Sequence, residues 1–421
     1  MKTLILGGGI VGITTAYYLA KEGHEVSVVE EKDGLGLQAT ASNAGIIAPG
    51  HSFAWASPRA PALLLRSLFG QETAIRVRLK PDLRLYTWGW KFLRECTAER
   101  ARHNTLIKLR LCQYSQSLMN DLVRSEGIEC HAITKGCLYV FRDPVELEAG
   151  AKKMALLSEH GQKQETLDAN EVAKLDPVFE PVKHKIAGAI RDLTDSSGDA
   201  RLFTENLAQI SREKSGVTFQ LGARVTGLRA DGDRVVGAVT DRGLLTADTY
   251  VLALGVGSPI VARTLGVKLA IYPAKGYSST FPLKENGLAP TLPGVDEQWL
   301  VGWSRLGDRL RLTSTAEFAG YDWGWTPRDF NNILRLARDI FPDAADYEKG
   351  QYHACLRPMT PDGPPILGRG RHRNLFFNAG HGHMGWTMAL GTARIVTDLM
   401  VGRKPDLDPD GLTPRPEAGG I

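Results

Sequence analysis

No C-x-x-C pair occurs in this 421-residue chain, and its five cysteines, Cys96, Cys112, Cys130, Cys137 and Cys355, are too scattered for a thiolate metal cluster. An odd count also argues against a disulfide framework and for reduced thiols in a cytoplasm. An excess of charge is missing too. The 51 basic and 47 acidic residues leave +4, with no basic block or aromatic-basic interleaving, which argues against a nucleic-acid partner. Long hydrophobic runs are lacking: the longest uncharged apolar stretch, Tyr250–Ala262, falls short of the ~20 residues a bilayer requires and contains Gly255, Gly257 and Pro259. Membrane contact is therefore expected to be peripheral at most, on the inner face of the cell membrane. The apolar start after Lys2 lacks a cleavage-site pattern and reads as a strand, not a signal peptide. What remains is an ordinary globular composition, 43% hydrophobic and 23% charged, on a chain long enough for two domains.

The first thirty residues carry the sharpest signal. A strand-like Thr3-Leu4-Ile5-Leu6 leads into Gly7, Gly9 and Gly12, then an apolar stretch predicted helical over Ile13–Glu22, then β-branched Glu25–Val29 ending on Glu30. The three glycines serve different ends. Gly7 allows the tight turn, Gly9 lets a pyrophosphate approach the backbone, and Gly12 lets helix and strand lie close. Glu30 binds the ribose hydroxyls in such a site, and an acid there disfavours a 2′-phosphate, hence NADP. Ile10, Val11, Glu31 and Lys32 flank these positions and are counted with the dinucleotide site.

Between Gly34 and Gly50 the residues Thr40, Ser42, Asn43, Ala44 and Gly45 are small or polar, suited to wrapping a phosphate or ring system, although a plain surface loop looks similar. The periodicity over Asp82–Glu126 predicts a pair of packed helices, with Trp88 and Trp90 as core or interface aromatics. Strand-like 137–141 and 186–190 flank a helical 144–160 and suggest a second sheet. A helix over 201–214, a strand over 217–221 and a hairpin, 235–240 with 243–247, follow. The apolar run 249–255 ends on Gly255. Its end, with Ala253, and the backbone of Val225 near an adenine move the expected cofactor from NAD towards FAD.

A second informative region lies near the end of the chain. Gly382, His383, Met384, Gly385 and Trp386 precede or open a helix predicted over Trp386–Val401, whose free N–H groups suit the pyrimidine end of a flavin that gains negative charge on reduction. Arg357, beside Pro358 and a Thr-Pro-Asp-Gly turn, offers a planar fork for a substrate carboxylate. Tyr277 is expected to reach the same carboxylate or line the pocket, with a core tyrosine nearly as acceptable. His51, His381 and His383 are candidate bases; removal of hydride from a carbon bearing a neutral amine requires none, so they rank as positioning groups, or as partners of loop carbonyls.

With these residues in view, the chain resembles the bacterial FAD-dependent D-amino acid dehydrogenases, within the D-amino acid oxidase and glycine oxidase superfamily. The resemblance spans nearly the whole chain: Leu6–Gly12 with Glu30, Ser42–Gly45 with Pro49-Gly50, Gly198–Thr204, Tyr272–Ser278, Leu356–Pro365 and Gly380–Ala389. It implies oxidative deamination of a D-amino acid to a 2-oxo acid and ammonia, with electrons passed to a quinone or respiratory acceptor. Arg357 matches the superfamily's carboxylate-binding arginine, and Tyr277 falls in a motif that lines the pocket. Cys355 departs from the dehydrogenase pattern and stands where sarcosine oxidases bond the flavin covalently; Arg357-Pro358 follows the dehydrogenases, so FAD is expected to be held without a covalent bond. The fold expected is α/β with an α+β second domain: a discontinuous Rossmann-like FAD domain (1–85, 196–262, 340–421) and a substrate domain (86–195, 263–339) built on a sheet flanked by helices. A glycine or sarcosine oxidase releasing hydrogen peroxide, and a non-catalytic FAD-binding subunit, are the competing readings.

Overall fold

The computed structural model describes residues 1–68 and 74–413. Alternation along the short apolar strands divides one sheet into two buried faces. Ile5 and Val251 look towards a core shared with the helices Ile10–Lys21, Ala98–Glu126, Ala200–Ser215 and Gly385–Met400, whereas Leu4, Leu6, Tyr250 and Leu252 look towards Val225, Leu228 and Val235 of a three-stranded antiparallel sheet. The six strands run in the order 366–369, 375–379, 249–252, 2–6, 25–29, 218–220, all pairs parallel except the first. Leu6 pairs with both Val29 and Leu252, so three strands end side by side where Gly7 begins. This is the doubly wound, Rossmann-like arrangement expected, with ligand space beyond the carboxyl ends of its strands.

A nine-stranded mixed sheet forms the second layer system, with strands 351–359, 272–282, 309–318, 301–306, 294–296, 137–141, 188–192 and 164–168 in sequence and 75–77 attached to 309–318. The helix Asn331–Ile340 buries Ile333, Leu336 and Ile340 against it. Every residue from Tyr272 to Phe281 is buried, including Lys275, Ser278, Ser279 and Thr280. Polar residues in a strand covered on both faces erase the alternation that would mark it, which is why this strand carries no strand signal in the sequence.

Several expectations shift. The first helix starts at Ile10, capped by Gly9, three residues before its predicted start. The strand expected at 186–190 runs from Gly188 to Asp192. The two helices of 82–126 exist, as Leu83–Glu95 and Ala98–Glu126, but lie in different cores. The first presses Trp88 onto Tyr272 and Phe318, while the second buries Ile107, Leu111 and Met119 beside the helix Gly385–Met400. Trp90 is not a core aromatic, being 66% exposed. The domain boundaries are also crossed: strands 75–77 and 351–359 belong to the nine-stranded sheet, and the helix Ala98–Glu126 belongs to the nucleotide-side core. Among the described residues no helix is long and apolar enough to cross a membrane.

Candidate active site

A cavity of about 1270 Å³ opens between the two sheets. Its dinucleotide end is shaped by absent side chains. Gly7 holds φ +113°, and a Cβ there would stand 2.5 Å from the Ala253 carbonyl; a Cβ on Gly12 would stand 1.9 Å from the Gly7 carbonyl. Gly12 thus sets helix against strand without lining the cavity, while Gly7, Gly9, Ile10 and Val11 do line it. The Ile10 N–H donates to Thr40 Oγ1 (3.1 Å). Glu30 accepts from the Gly8 N–H (2.7 Å) and the Lys32 N–H (3.0 Å), and burial raises its pKa. Glu31 pairs with Arg224 (3.1 Å) and lies with Lys32, Val225, Ala253 and Gly255 on the same wall.

The loop after Thr40 is clamped from the other sheet. Arg311 Nη1 donates to the carbonyls of Ala41 (2.7 Å) and Asn43 (2.9 Å), and Ser304 Oγ donates to that of Ala44 (2.6 Å). Burial lowers the Arg311 pKa to about 10. Ser42, Asn43 and Ala44 face the cavity, but Gly45 does not: at φ +74° it leaves room for Ser304, whose Oγ would stand 2.4 Å from a Cβ there. Sequence reasoning missed Arg311 and Ser304, since both sit on strands it did not assign.

At the other end, Gly382, His383, Met384, Gly385 and Trp386 line the cavity at the start of the helix Gly385–Met400. His383 stacks on Trp55 with centroids 4.7 Å apart. Burial lowers the pKa of His381 to about 3 and that of His383 well below its usual value, so both are neutral and neither takes a proton near pH 7. His381 Nε2 meets Thr392 Oγ1 (3.0 Å). Behind this loop lies Lys108, fully buried, its Nζ donating to the Phe53 carbonyl (2.8 Å) and its pKa pushed down by burial from 10.5 to about 8. Between those values the unfolded chain holds a proton that the native state lacks, so this residue's share of stability rises with pH. The Tm of the protein minus that of Lys108→Met is therefore expected to increase from pH 7 to pH 9; a flat difference contradicts the assignment.

Arg357 lies partly buried on the cavity wall. Its Nη1 donates to the Thr315 carbonyl (2.8 Å), and Thr315 stands at φ +67°, an outlier for a β-branched residue, beside a bulge in strand pairing at Lys275/Tyr277. Gly276 makes the space: a Cβ there would lie 2.3–2.8 Å from the guanidinium. Gly276→Ala is expected to displace Arg357 and lower kcat/KM about 100-fold with flavin content kept, since an ångström of misplacement costs about that much; unchanged steady-state kinetics would contradict this. Tyr277 corrects the sequence reading. It lies off the cavity, 1% exposed, donating its hydroxyl to Glu317 Oε2 (2.7 Å) and packing edge-on against Phe330. His51 does reach the cavity, where its Nε2 meets Glu297 Oε1 (2.9 Å) and its ring stacks on Tyr139. Burial acts to raise the Glu297 pKa, but His51 and Lys153 outweigh it and hold the group below its usual value. Glu297 was not legible in the sequence.

The cavity suits FAD on its own terms. It exceeds the few hundred Å³ that drug-sized ligands fill, its dinucleotide end is carved by glycines, and at its other end His383 Nε2, Trp386 Nε1 and Asn378 Oδ1 are buried without protein partners.

Comparisons with known proteins agree with this geometry. A family profile described as DAO, FAD dependent oxidoreductase, matches residues 2–399. The chain is 44% identical to D-amino acid dehydrogenase 2 of Mesorhizobium japonicum, over 98% of this chain and 99% of that one. It is 41% identical to a D-amino acid dehydrogenase of Paramagnetospirillum magneticum, over 98% of each. Among solved structures, glycine oxidase from Geobacillus kaustophilus superposes with a TM-score of 0.76 at 21% identity, covering 97% of this chain and 96% of that one.

Proposed function

The chain belongs to the DAO family of FAD-dependent oxidoreductases, and on that premise we propose that it oxidises D-amino acids to 2-oxo acids and ammonia. One observation supports this above the others. Arg357 is a partly buried guanidinium on the cavity wall, and among the described residues no carboxylate pairs with it. A charge partly withdrawn from water without a counter-ion carries a desolvation cost, and a bound carboxylate would offset it. Relatives named D-amino acid dehydrogenase, 39–44% identical over nearly the whole chain, support the D-configuration.

When bound, FAD supplies the acceptor for the α-hydride. The chain's own residues do the rest. Arg357 fixes the carboxylate with the Nη and Nε groups that Thr315 leaves free. The Gly382 and Met384 N–H groups already donate to the Pro358 and His381 carbonyls, so it is the start of the helix Gly385–Met400 that favours negative charge arising beside it. The neutral His383 positions substrate and withholds a cation, and His51, oriented by Glu297, positions substrate from the cavity wall. Loss of the α-carbon's hydride from the amino acid with its amine neutral leaves the protonated imino acid, which water hydrolyses to the 2-oxo acid and ammonium. Glu30, Thr40, Ser42, Asn43 and Ala253 hold the dinucleotide half.

We assign reoxidation to a quinone or other respiratory acceptor in place of oxygen. Burial raises the pKa of the Cys355 thiol, which shares the cavity wall with Arg357, and the protonated form is a poor nucleophile. FAD held without a covalent bond should leave in the supernatant after acid precipitation; a yellow pellet would identify Cys355 as its anchor. The reaction itself is tested with D-alanine and a soluble quinone: 2-oxo acid and ammonia should form one to one, with no peroxide under air. Stoichiometric peroxide would replace the dehydrogenase with an amine oxidase.

A further inference from the structure

One row of side chains on the nine-stranded sheet links Arg357 to Glu297. Ser314, Val301 and Asp296 are paired side by side on three adjacent strands. One step further, where side chains turn to the other face, stand Thr315, Leu300 and Glu297, and all three line the cavity. So do Thr313, Gly302 and Val295 one step back, paired with one another on that same face. The row therefore begins at the carbonyl that holds Arg357 and ends two strand spacings away, about 10 Å, at the carboxylate that meets His51. Between them Leu300 stands at φ +50°, uncommon for a bulky apolar residue, and is 40% exposed. The turn that presents Leu300 and Glu297 is held firmly from behind. The Trp299 ring lies 3.8 Å from the Arg142 guanidinium and 4.4 Å from that of Arg335, and its backbone N–H donates to Asp296 Oδ1 (2.7 Å). The Glu297 N–H donates to the Val140 carbonyl (3.0 Å).

We propose that this row reads the substrate's side chain, and that the preferred D-amino acids carry a hydrogen-bond donor about four or five atoms beyond the α-carbon, the reach that the strand spacing sets. This rests on the reading that the substrate is a D-amino acid. With the carboxylate on Arg357, Leu300 covers the methylenes and Glu297 accepts from the terminal group. His51 occupies Glu297 Oε1, and among the described residues the carboxylate makes no other side-chain hydrogen bond. Its side chain is only 16% exposed. An apolar side chain would displace water from this carboxylate and replace none of its hydrogen bonds, which is costly. An acidic one would be repelled, since an ionised carboxylate only accepts and His51 with Lys153 keeps Glu297 ionised. Lys153 also lines the cavity, so part of the charge of Glu297 is already countered and a neutral donor suffices.

Anaerobic reduction of the bound flavin in the holoenzyme tests this, with the second-order rate constant for each substrate as readout, so that no electron acceptor takes part. D-glutamine and D-lysine should each exceed D-methionine, which matches glutamine in length without the donor, by about 10–100-fold, the span of one hydrogen bond to a charged acceptor. D-glutamate should fall below D-methionine. Glu297→Gln should bring D-glutamine and D-glutamate closer by about tenfold or more, since the repulsion and the charged acceptor go together. Damage to His51 or to folding that is common to all substrates cancels in that ratio, and the series on the unaltered enzyme stands without the variant. D-methionine as fast as D-glutamine and D-lysine, or a glutamine-to-glutamate ratio unchanged in Glu297→Gln, would overturn the proposal and leave Glu297 as a partner of His51 alone. Either result would leave D-amino acid oxidation standing, whereas no reduction by any D-amino acid, D-alanine included, would remove that reading and this one together.

Discussion

Replacing Arg357 with methionine should lower kcat/KM for the amino acid by about 10²–10⁴-fold, because a charge-assisted, two-point hydrogen bond to a carboxylate is worth about 3–5 kcal/mol in a buried site. Most of the loss should fall in KM, with a further share in kcat where the α-carbon is no longer held in register. Arg357→Lys should lose much of the same amount. An ammonium on this strand keeps the charge but loses the planar fork, and one of its donors would be drawn to the Thr315 carbonyl that now accepts from Nη1. The visible flavin spectrum should survive both changes, since the groups that shape the dinucleotide end, Gly7, Gly12 and Glu30, make their contacts elsewhere. Loss of flavin with Arg357→Met would mean that the arginine serves the cofactor instead of the substrate.

Gly12→Val should give colourless protein. A Cβ at position 12 would lie 1.9 Å from the Gly7 carbonyl, within backbone that has no rotamer with which to yield. Helix and first strand would be forced apart, and with them the turn Gly7–Gly9, so flavin content on purification should fall to below about a tenth of normal. A stability loss above the ~1–3 kcal/mol usual for overpacked cores is expected, because the overlap is with backbone. By contrast Gly23→Ala, on the same helix–strand connection with nothing within 4 Å of its added Cβ, carries only the strain of φ +84° and should keep its flavin. Flavin retained by Gly12→Val at normal stoichiometry would contradict the close approach.

The dinucleotide half was legible because its chemistry is local. Gly7, Gly9, Gly12 and Glu30 lie within 24 residues, and each answers to a contact made by its immediate neighbours in the fold. Arg357 was legible for a related reason, standing beside a turn that precedes the flavin-facing glycines. The partners that hold these groups were not, because they come from far along the chain: Arg311 reaches Ala41, and Glu297 reaches His51 across 246 residues. Tyr277 shows the limit of reading a motif without its strand. Gly276 and Cys355 are paired across neighbouring strands and share the face of Arg357, and successive side chains alternate, so Tyr277 is turned to the opposite face. Placing it required knowing that 272–282 is a strand, which its buried lysine and serines concealed.

The central claim is tested most directly by anaerobic titration of the bound flavin, followed by its visible absorption, with D- and L-enantiomers of alanine and proline and with glycine and sarcosine. Bleaching by the D-amino acids alone, lost in Arg357→Met, is the predicted result. Bleaching only by glycine or sarcosine, or a flavin that stays oxidised with every compound, would contradict it.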